Sequence, residues 1–212
     1  MVKPDRQPWS TRTAKDRQDS ATRAALLDAA EELFSEQGYK EAPVASIAAR
    51  AGVSRATFYV YFSSREEVFR ALAHRVRDEI AEVQRAAGRR SDSPREVIDS
   101  SIRAALDVYA RKTRLITVIQ HQALTDADVA ELWQGMLQFP SRVDAQFIGM
   151  LTSGHGAMPA ASPETVAEVI SAALLHVAAL VAREPARRAE LGSELVSVYM
   201  RLVGLPDQEP PS

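Results

Sequence analysis

The sequence predicts an all-α protein built from an N-terminal three-helix head and a C-terminal helical bundle. Apolar residues recur at spacings of three and four along most of the chain, and no segment alternates apolar with polar residues as a strand does. Helix-start signals such as Ser64-x-x-Glu67 and helix-stop glycines such as Gly38 separate these periodic segments. We therefore expect helices joined by short turns, and no β-sheet.

Composition excludes several classes of function. The chain of 212 residues has no cysteine, which rules out disulfides, thiol redox sensing and cysteine-based zinc sites. Its four histidines are scattered without metal-ligand spacing, and neither a phosphate-binding glycine loop nor G-x-S-x-G occurs. We expect no metal, no cofactor and no enzymatic activity.

No membrane or secretory segment is predicted. The most apolar stretch, Val169–Ala182, is shorter than the roughly 20 residues that a bilayer span requires, and the N-terminus has no signal-peptide core. We therefore expect a cytoplasmic protein with no membrane partner.

Residues 1–19 are rich in proline, serine, threonine and charge, and they predict a flexible arm. Its basic residues are Lys3, Arg6, Arg12, Lys15 and Arg17. The arm is either a solvated tail or a basic segment that follows nucleic-acid phosphates or enters a minor groove. Helix 1 should follow from Ser20 to Gln37, with Leu26, Ala30, Leu33 and Phe34 on its inner face.

Residues 43–62 have the pattern of a helix-turn-helix. Gly52 suits a sharp turn because it carries no Cβ, and Ser54 is a good N-cap for the helix behind it. Phe58 and Phe62 are four residues apart and share an inward face, which leaves cationic and hydroxyl side chains for a surface. The second helix of such a motif enters the DNA major groove.

With the preceding segment Thr22–Tyr39, the run IAARAGVSRATFYVYF and the following SREEVF resemble the TetR family of bacterial transcriptional regulators, over residues 20–72. The resemblance implies a DNA-binding domain over residues 20–80, a ligand-binding and dimerisation domain over 81–205, and a tail over 206–212. It also implies a homodimer on a pseudo-palindromic operator in double-stranded DNA.

The resemblance assigns DNA reading to the second helix of the motif. Arg55 and Thr57 should face base edges, while Tyr59, Tyr61 and Arg65 should contact phosphates. The helix before it should hold a phosphate at its N-terminus, through Val44, Ala45 and Ser46. One departure from the family pattern is Pro43, where many relatives have threonine, because proline donates neither an N–H nor a hydroxyl.

Further helices are predicted beyond the head. Ser64-x-x-Glu67 starts a helix that should end near Gly88, and Ser93-Pro94-x-Glu96 predicts a second capping box. A separate short helix is expected over Leu115–Leu124, then one from Thr125 that breaks or kinks at Pro140. Residues 153–163 predict a loop.

The last two helices carry apolar stripes at alternating spacings of three and four. Such stripes form either an ordinary core or, as the resemblance implies, a dimer interface. The interface residues would be Val166, Ile170, Ala173, Val177 and Leu180 on the first helix, and Leu191, Leu195, Val198 and Leu202 on the second.

A ligand site is suggested by the segment Asp128–Gln138, DVAELWQGMLQ, which resembles a helix of one mycobacterial repressor in the family. In that repressor the tryptophan of this helix lines a long apolar ligand channel. Carried over, the candidate ligand-binding residues are Tyr109, Trp133, Met136, Phe147 and His176. All five could equally be core residues, and His176 a satisfied core or interface histidine.

These observations predict a sequence-specific DNA-binding regulator, a repressor released from its operator by a small hydrophobic effector. The alternative is an architectural or global DNA-binding protein without an inducer pocket.

Overall fold

A computed structural model describes residues 9–88 and 93–205, and within them it contains eight α-helices, one 3-10 turn and no β-strand. The helices are α1 (Trp9–Gln37), α2 (Val44–Arg50), α3 (Arg55–Tyr61), α4 (Arg65–Gly88), α5 (Pro94–Ala123), α6 (Ala127–Gly154), α7 (Pro163–Arg183) and α8 (Arg188–Val203). The predicted all-α class is confirmed. The chain divides after Leu72 into two compact units, so the boundary lies inside α4 and before the expected residue 80.

Helix α1 begins at Trp9, well before the predicted start at Ser20. No glycine or proline occurs between Trp9 and Gln37, so nothing in this stretch interrupts a helix. The predicted flexible arm is therefore helical from Trp9 onward, while residues 1–8 and the tail over 206–212 lie outside the described residues. Gly38, at φ +86°, ends the helix and donates its N–H to the Phe34 carbonyl at 3.0 Å.

The core of the N-terminal unit is an aromatic cluster with aliphatic residues around it. The Phe34 and Phe69 rings meet edge to face at 5.4 Å, and Tyr39 packs on Phe69 at 4.7 Å. Phe58 and Phe62 are both buried, with ring centroids 5.9 Å apart, as their spacing predicts. The predicted inner stripe of α1, from Leu26 to Phe34, is buried as well.

Helix α5 is the central element of the C-terminal unit and packs against α6, α7 and α8. It runs unbroken through Leu115, so the predicted separate short helix is wrong, because no glycine or proline follows Pro94 within it. The predicted capping box is not formed either, since the Ser93 side chain makes no cap hydrogen bond. Pro94 at the first helical position fixes the start of the helix.

Helix α6 continues through Pro140, where a kink or a break was expected, so no break occurs. Pro140 is buried, and α6 packs along both α5 and α7, so tertiary burial offsets the lost backbone hydrogen bond. The next residue, Ser141, donates its hydroxyl to the Leu137 carbonyl at 3.0 Å.

The loop between α6 and α7 covers the end of α8. The Met158 and Ala160 N–H groups donate to the carbonyls of Gly204 and Leu202 at 3.0 and 2.8 Å, which satisfies acceptors that a helix end leaves open. Helix α7 is longer than the apolar stretch seen in the sequence, and it is long and apolar enough to cross a bilayer by length and composition. Here one side of it packs on α5, α6 and α8.

Candidate nucleic-acid interface and effector cavity

The turn between α2 and α3 depends on Gly52. Its φ of +70° lies in the left-handed region, where glycine has no Cβ penalty. The Gly52 N–H donates to the Ala49 carbonyl at 3.1 Å, and the Val53 N–H donates to the Ala48 carbonyl at 2.9 Å. This pair of bonds is the Schellman motif, and it ends α2 within one residue.

Ser54 caps α3 as the sequence predicts. Its Oγ accepts the Thr57 N–H at 3.0 Å, and Phe58, which is fully buried, anchors the helix to the unit. The cap and the anchor together fix which face of this short helix points outward.

That outward face carries Arg55, Ala56, Tyr59 and Val60, all of which are exposed. Tyr59 is 50% exposed and Val60 76%, which is unusual for an aromatic and a β-branched residue on a helix anchored to a core. The Arg55 guanidinium has no hydrogen bond or ion pair with any residue that the structure describes. Sequence reasoning missed Ala56 and Val60, although their four-residue spacing, beside the Arg55–Tyr59 pair, indicates the shared face.

The hydroxyls of Thr57 and Tyr61 are used within the unit. The Thr57 Oγ1 lies 2.9 Å from the Ser54 Oγ, and Tyr61 donates its hydroxyl to the Asp19 Oδ1 at 2.9 Å. The bond to this carboxylate, with some burial, raises the pKa of Tyr61. Both hydroxyls thus take part in hydrogen bonds within the unit, the exposed face lies one residue away from each, and their predicted contacts with DNA stay predictions.

Two of the three arginines near the motif are also engaged within the unit. Arg65 donates from Nη1 to the carbonyls of Tyr39 and Lys40, both at 3.2 Å, and its guanidinium lies 4.3 Å from the centre of the Tyr39 ring. Arg50 pairs with Glu32 at 2.9 Å and with Glu36 at 3.2 Å. Arg65 thus holds the segment after α1, a role that the sequence did not reveal.

The start of α2 offers backbone groups only. The Pro43 side chain makes no cap bond, and its carbonyl accepts the N–H groups of Ser46 and Ile47 at 2.9 and 3.2 Å. The N–H groups of Val44 and Ala45 have no acceptor among the described residues. Ala45 is exposed, and Val44 and Ser46 are half-buried, so this helix start is open to solvent.

Two cavities of similar volume are lined by described residues of the C-terminal unit. One, of about 500 Å³, is a groove between α6 and α7 lined by Leu137, Arg142, Glu168 and Leu175 among others. The other, of about 480 Å³, lies among α5, α6 and α8 and is mainly apolar; we call it the α5–α6–α8 cavity.

Of the five predicted ligand residues, only Phe147 lines the α5–α6–α8 cavity, and none lines the groove. Tyr109 and Met136 are buried, Trp133 is half-buried, and His176 is exposed. Burial raises the pKa of the Tyr109 hydroxyl to about 12. His176 is therefore neither a core histidine nor a contact in these two cavities.

The α5–α6–α8 cavity contains an acid that sequence reasoning missed. The Asp144 carboxylate accepts a hydrogen bond from the hydroxyl of Tyr199, which is 2% exposed. Burial raises the pKa of Asp144 to about 6, while the bond from Tyr199 acts in the opposite direction. The available signal was spacing: Pro140, Asp144, Ile148 and Leu151 form one stripe of α6, and the other three are buried.

Some of the residues predicted to form the dimer interface belong to the hydrophobic core of the single chain. Four of its residues are buried within the single chain: Val166, Ile170, Leu191 and Leu195. Val198 is 48% exposed, and Ala173, Val177, Leu180 and Leu202 are half-buried. Val169 of α7, which was not in the predicted set, is 50% exposed. The exposed large apolar residues of these two helices are thus Val198, which is in the predicted set, and Val169, which is not.

Residues 26–72 match the family described as "Bacterial regulatory proteins, tetR family". The chain is 30% identical over 158 residues to the HTH-type transcriptional repressor BepR of Brucella suis, covering 71% of this chain and 76% of that protein.

Two further similar proteins are also transcriptional regulators. The HTH-type transcriptional regulator EthR of Mycobacterium tuberculosis is 31% identical over 133 residues, which cover 62% of this chain and 61% of EthR. A TetR-like transcriptional regulator from Rhodococcus sp. RHA1, solved by crystallography, superposes with a TM-score of 0.69 at 26% identity, covering 85% of this chain and 94% of that one.

Proposed function

The chain belongs to the tetR family of bacterial regulatory proteins, and we propose that it is a homodimeric repressor released from a pseudo-palindromic operator by a small, mainly apolar effector. Family membership makes it a DNA-binding transcriptional regulator. Repression, the operator, the dimer and the effector are proposals that go beyond family membership.

The exposed face of α3 carries this proposal. Arg55 is a cation with no described partner, and arginine is the residue that most often reads guanine O6 and N7. Tyr59 presents a hydroxyl beside it for a phosphate, and Val60 presents an apolar surface that suits the methyl group of thymine. The first turn of α2, with Val44, Ala45 and Ser46, would add backbone donors to the same strand of DNA.

The residues Thr57, Tyr61 and Arg65 would act indirectly. Their hydrogen bonds to Ser54, Asp19 and the segment after α1 hold α3 and its surroundings in place. Tyr61 has a single O–H, so a bond donated to a phosphate would replace its bond to Asp19.

The test is operator binding by gel shift, with DNA from around the protein's own gene and, if that fails, with fragments selected from the genome. We expect Arg55→Ala to weaken binding by about 1–3 kcal/mol and to relax base preference at one position of each half-site. Tyr59→Phe should weaken binding to all sequences alike, because a phosphate contact carries no base information. Unchanged affinity in both variants would refute the assignment of α3.

A second candidate is an architectural or global DNA-binding protein without an inducer. It predicts the same effects of Arg55→Ala and Tyr59→Phe, but no change in operator affinity with any small molecule. Adding a panel of hydrophobic compounds to the gel shift separates the two, because a ligand shifts an equilibrium only by its different affinities for the two states.

A further inference from the structure

The α5–α6–α8 cavity combines apolar walls with one carboxylate. Ile98 and Ile102 of α5 and Phe147 and Leu151 of α6 supply the walls. Among the described residues that line it, Asp144 is the only acid, His155 is the only basic side chain, and there is no lysine or arginine. The residues therefore give this space a single negative charge in surroundings that solvate it poorly.

The carboxylate is only partly satisfied by the protein. Tyr199 donates one hydrogen bond to Oδ1, and no described residue donates to Oδ2. No arginine or lysine of the described residues forms an ion pair with Asp144, and a neutral hydroxyl offsets only part of the cost of burying a charge. An incoming cation would complete the site.

We propose that the α5–α6–α8 cavity binds an amphipathic molecule whose protonated amine pairs with Asp144 and whose apolar body packs against Ile102 and Phe147. This inference deepens the proposed function, on which its regulatory meaning rests, because it names the chemical class of the effector. A volume of about 480 Å³ is of the size that holds drug-sized ligands.

The groove between α6 and α7 does not fit this chemistry as well. Its acids, Glu164 and Glu168, are exposed to water, and Arg142 lies among the same lining residues. Solvated charges of both signs give a cation little preference, since exposed ion pairs contribute only about 0–1 kcal/mol. Glu168 therefore provides a control acid for the test.

The experiment is calorimetric titration of the full-length protein with phenylbutylamine, phenylbutanol and phenylbutyrate, which share one apolar body and differ in charge. We expect the amine to bind about tenfold or more tightly than the alcohol, and the carboxylate to bind weakest. Asp144→Asn should abolish the preference for the amine and leave the affinity for the alcohol unchanged. Glu168→Gln should change none of the three affinities.

Several results would overturn the proposal: equal affinity for amine and alcohol, no binding of either, or a preference for the amine that survives Asp144→Asn. Thermal melts of each variant check that it is folded. A parallel gel shift separates this inference from the proposed function. Operator release by the amine that persists unchanged in Asp144→Asn would refute the cavity assignment alone. Amine binding through Asp144 without operator release would refute the effector role alone.

Discussion

At the scale of a single residue, Asp144 sets a pH dependence of folding. Its pKa is raised by burial from 3.8 to about 6, so the folded chain holds this proton more tightly than the unfolded chain does. Stability from this group is therefore greatest below the unfolded pKa and is lost as the pH rises through the folded pKa. The ionised form costs at most about 3 kcal/mol at neutral pH.

Asp144→Asn should therefore stabilise the protein in a pH-dependent way. The amide keeps an oxygen that can accept the Tyr199 hydroxyl, but it carries no charge to desolvate. We expect the variant to melt higher than the original chain at pH 8 and the difference to shrink toward zero near pH 4. Tyr199→Phe removes the bond that lowers this pKa, so it should widen the pH range of the effect. A difference that is equal at both pH values would contradict the burial argument.

The structural role of a residue could be predicted from the sequence where only its near neighbours in the chain decide that role. Gly52 and Ser54 follow from turn and cap chemistry that involves neighbours a few residues away, and both have the predicted roles. The engagement of Tyr61 by Asp19 could not be predicted, because 42 residues separate them and only the folded chain brings them together. The same holds for Arg65 on the carbonyl of Tyr39.

At the scale of an element, the end of α8 depends on Gly204. Its φ of +65° is in the left-handed region, and an added Cβ would lie 2.1 Å from the Met158 carbonyl oxygen. Gly204→Ala should destabilise the chain by roughly 2–4 kcal/mol, because backbone strain and a backbone clash add together. Chemical denaturation would measure this.

Gly156, which lies in the α6–α7 loop with Met158, provides the matched control for Gly204. It has a φ of +67°, and nothing lies within 4 Å of an added Cβ. Gly156→Ala should therefore cost only the left-handed penalty, about 1 kcal/mol. Equal losses in the two variants would show that contact with Met158 does not matter.

Element boundaries were harder to predict than element type. The breaks expected at Leu115 and at Pro140 do not occur, because long helices that pack on several neighbours tolerate weak interior signals. The boundary expected near Thr125 is present, since α5 ends at Ala123 and α6 begins at Ala127. The stripes on α7 and α8 were correctly predicted as apolar. However, periodicity alone cannot tell which apolar face a chain buries itself and which it leaves for a partner, and four predicted interface residues belong to the core.

At the scale of the whole molecule, two helices leave an uncovered apolar surface. Helix α7 has a mean hydropathy of 2.0 over its most apolar window, and only 33% of that window is buried in the single chain. Val169 on α7 and Val198 on α8 are each about half exposed, and His176 on α7 is also exposed. Burying such a surface against a second copy would account for an apolar face that monomers rarely leave in water.

Val198→Glu should therefore separate the proposed dimer without unfolding the chain. Its side chain is already 48% exposed, so a charge there is solvated in the monomer but would be buried in a dimer. We expect sedimentation analysis to show a monomer. The affinity for an operator with two half-sites should fall by about a hundredfold or more, because binding at the second half-site is no longer linked to binding at the first. Leu124→Glu is the control, since Leu124 is 79% exposed in the turn after α5 and should leave the assembly unchanged. A Val198→Glu chain that still sediments as a dimer would place the interface on another face, and a monomer that keeps full operator affinity would remove dimerisation from the mechanism.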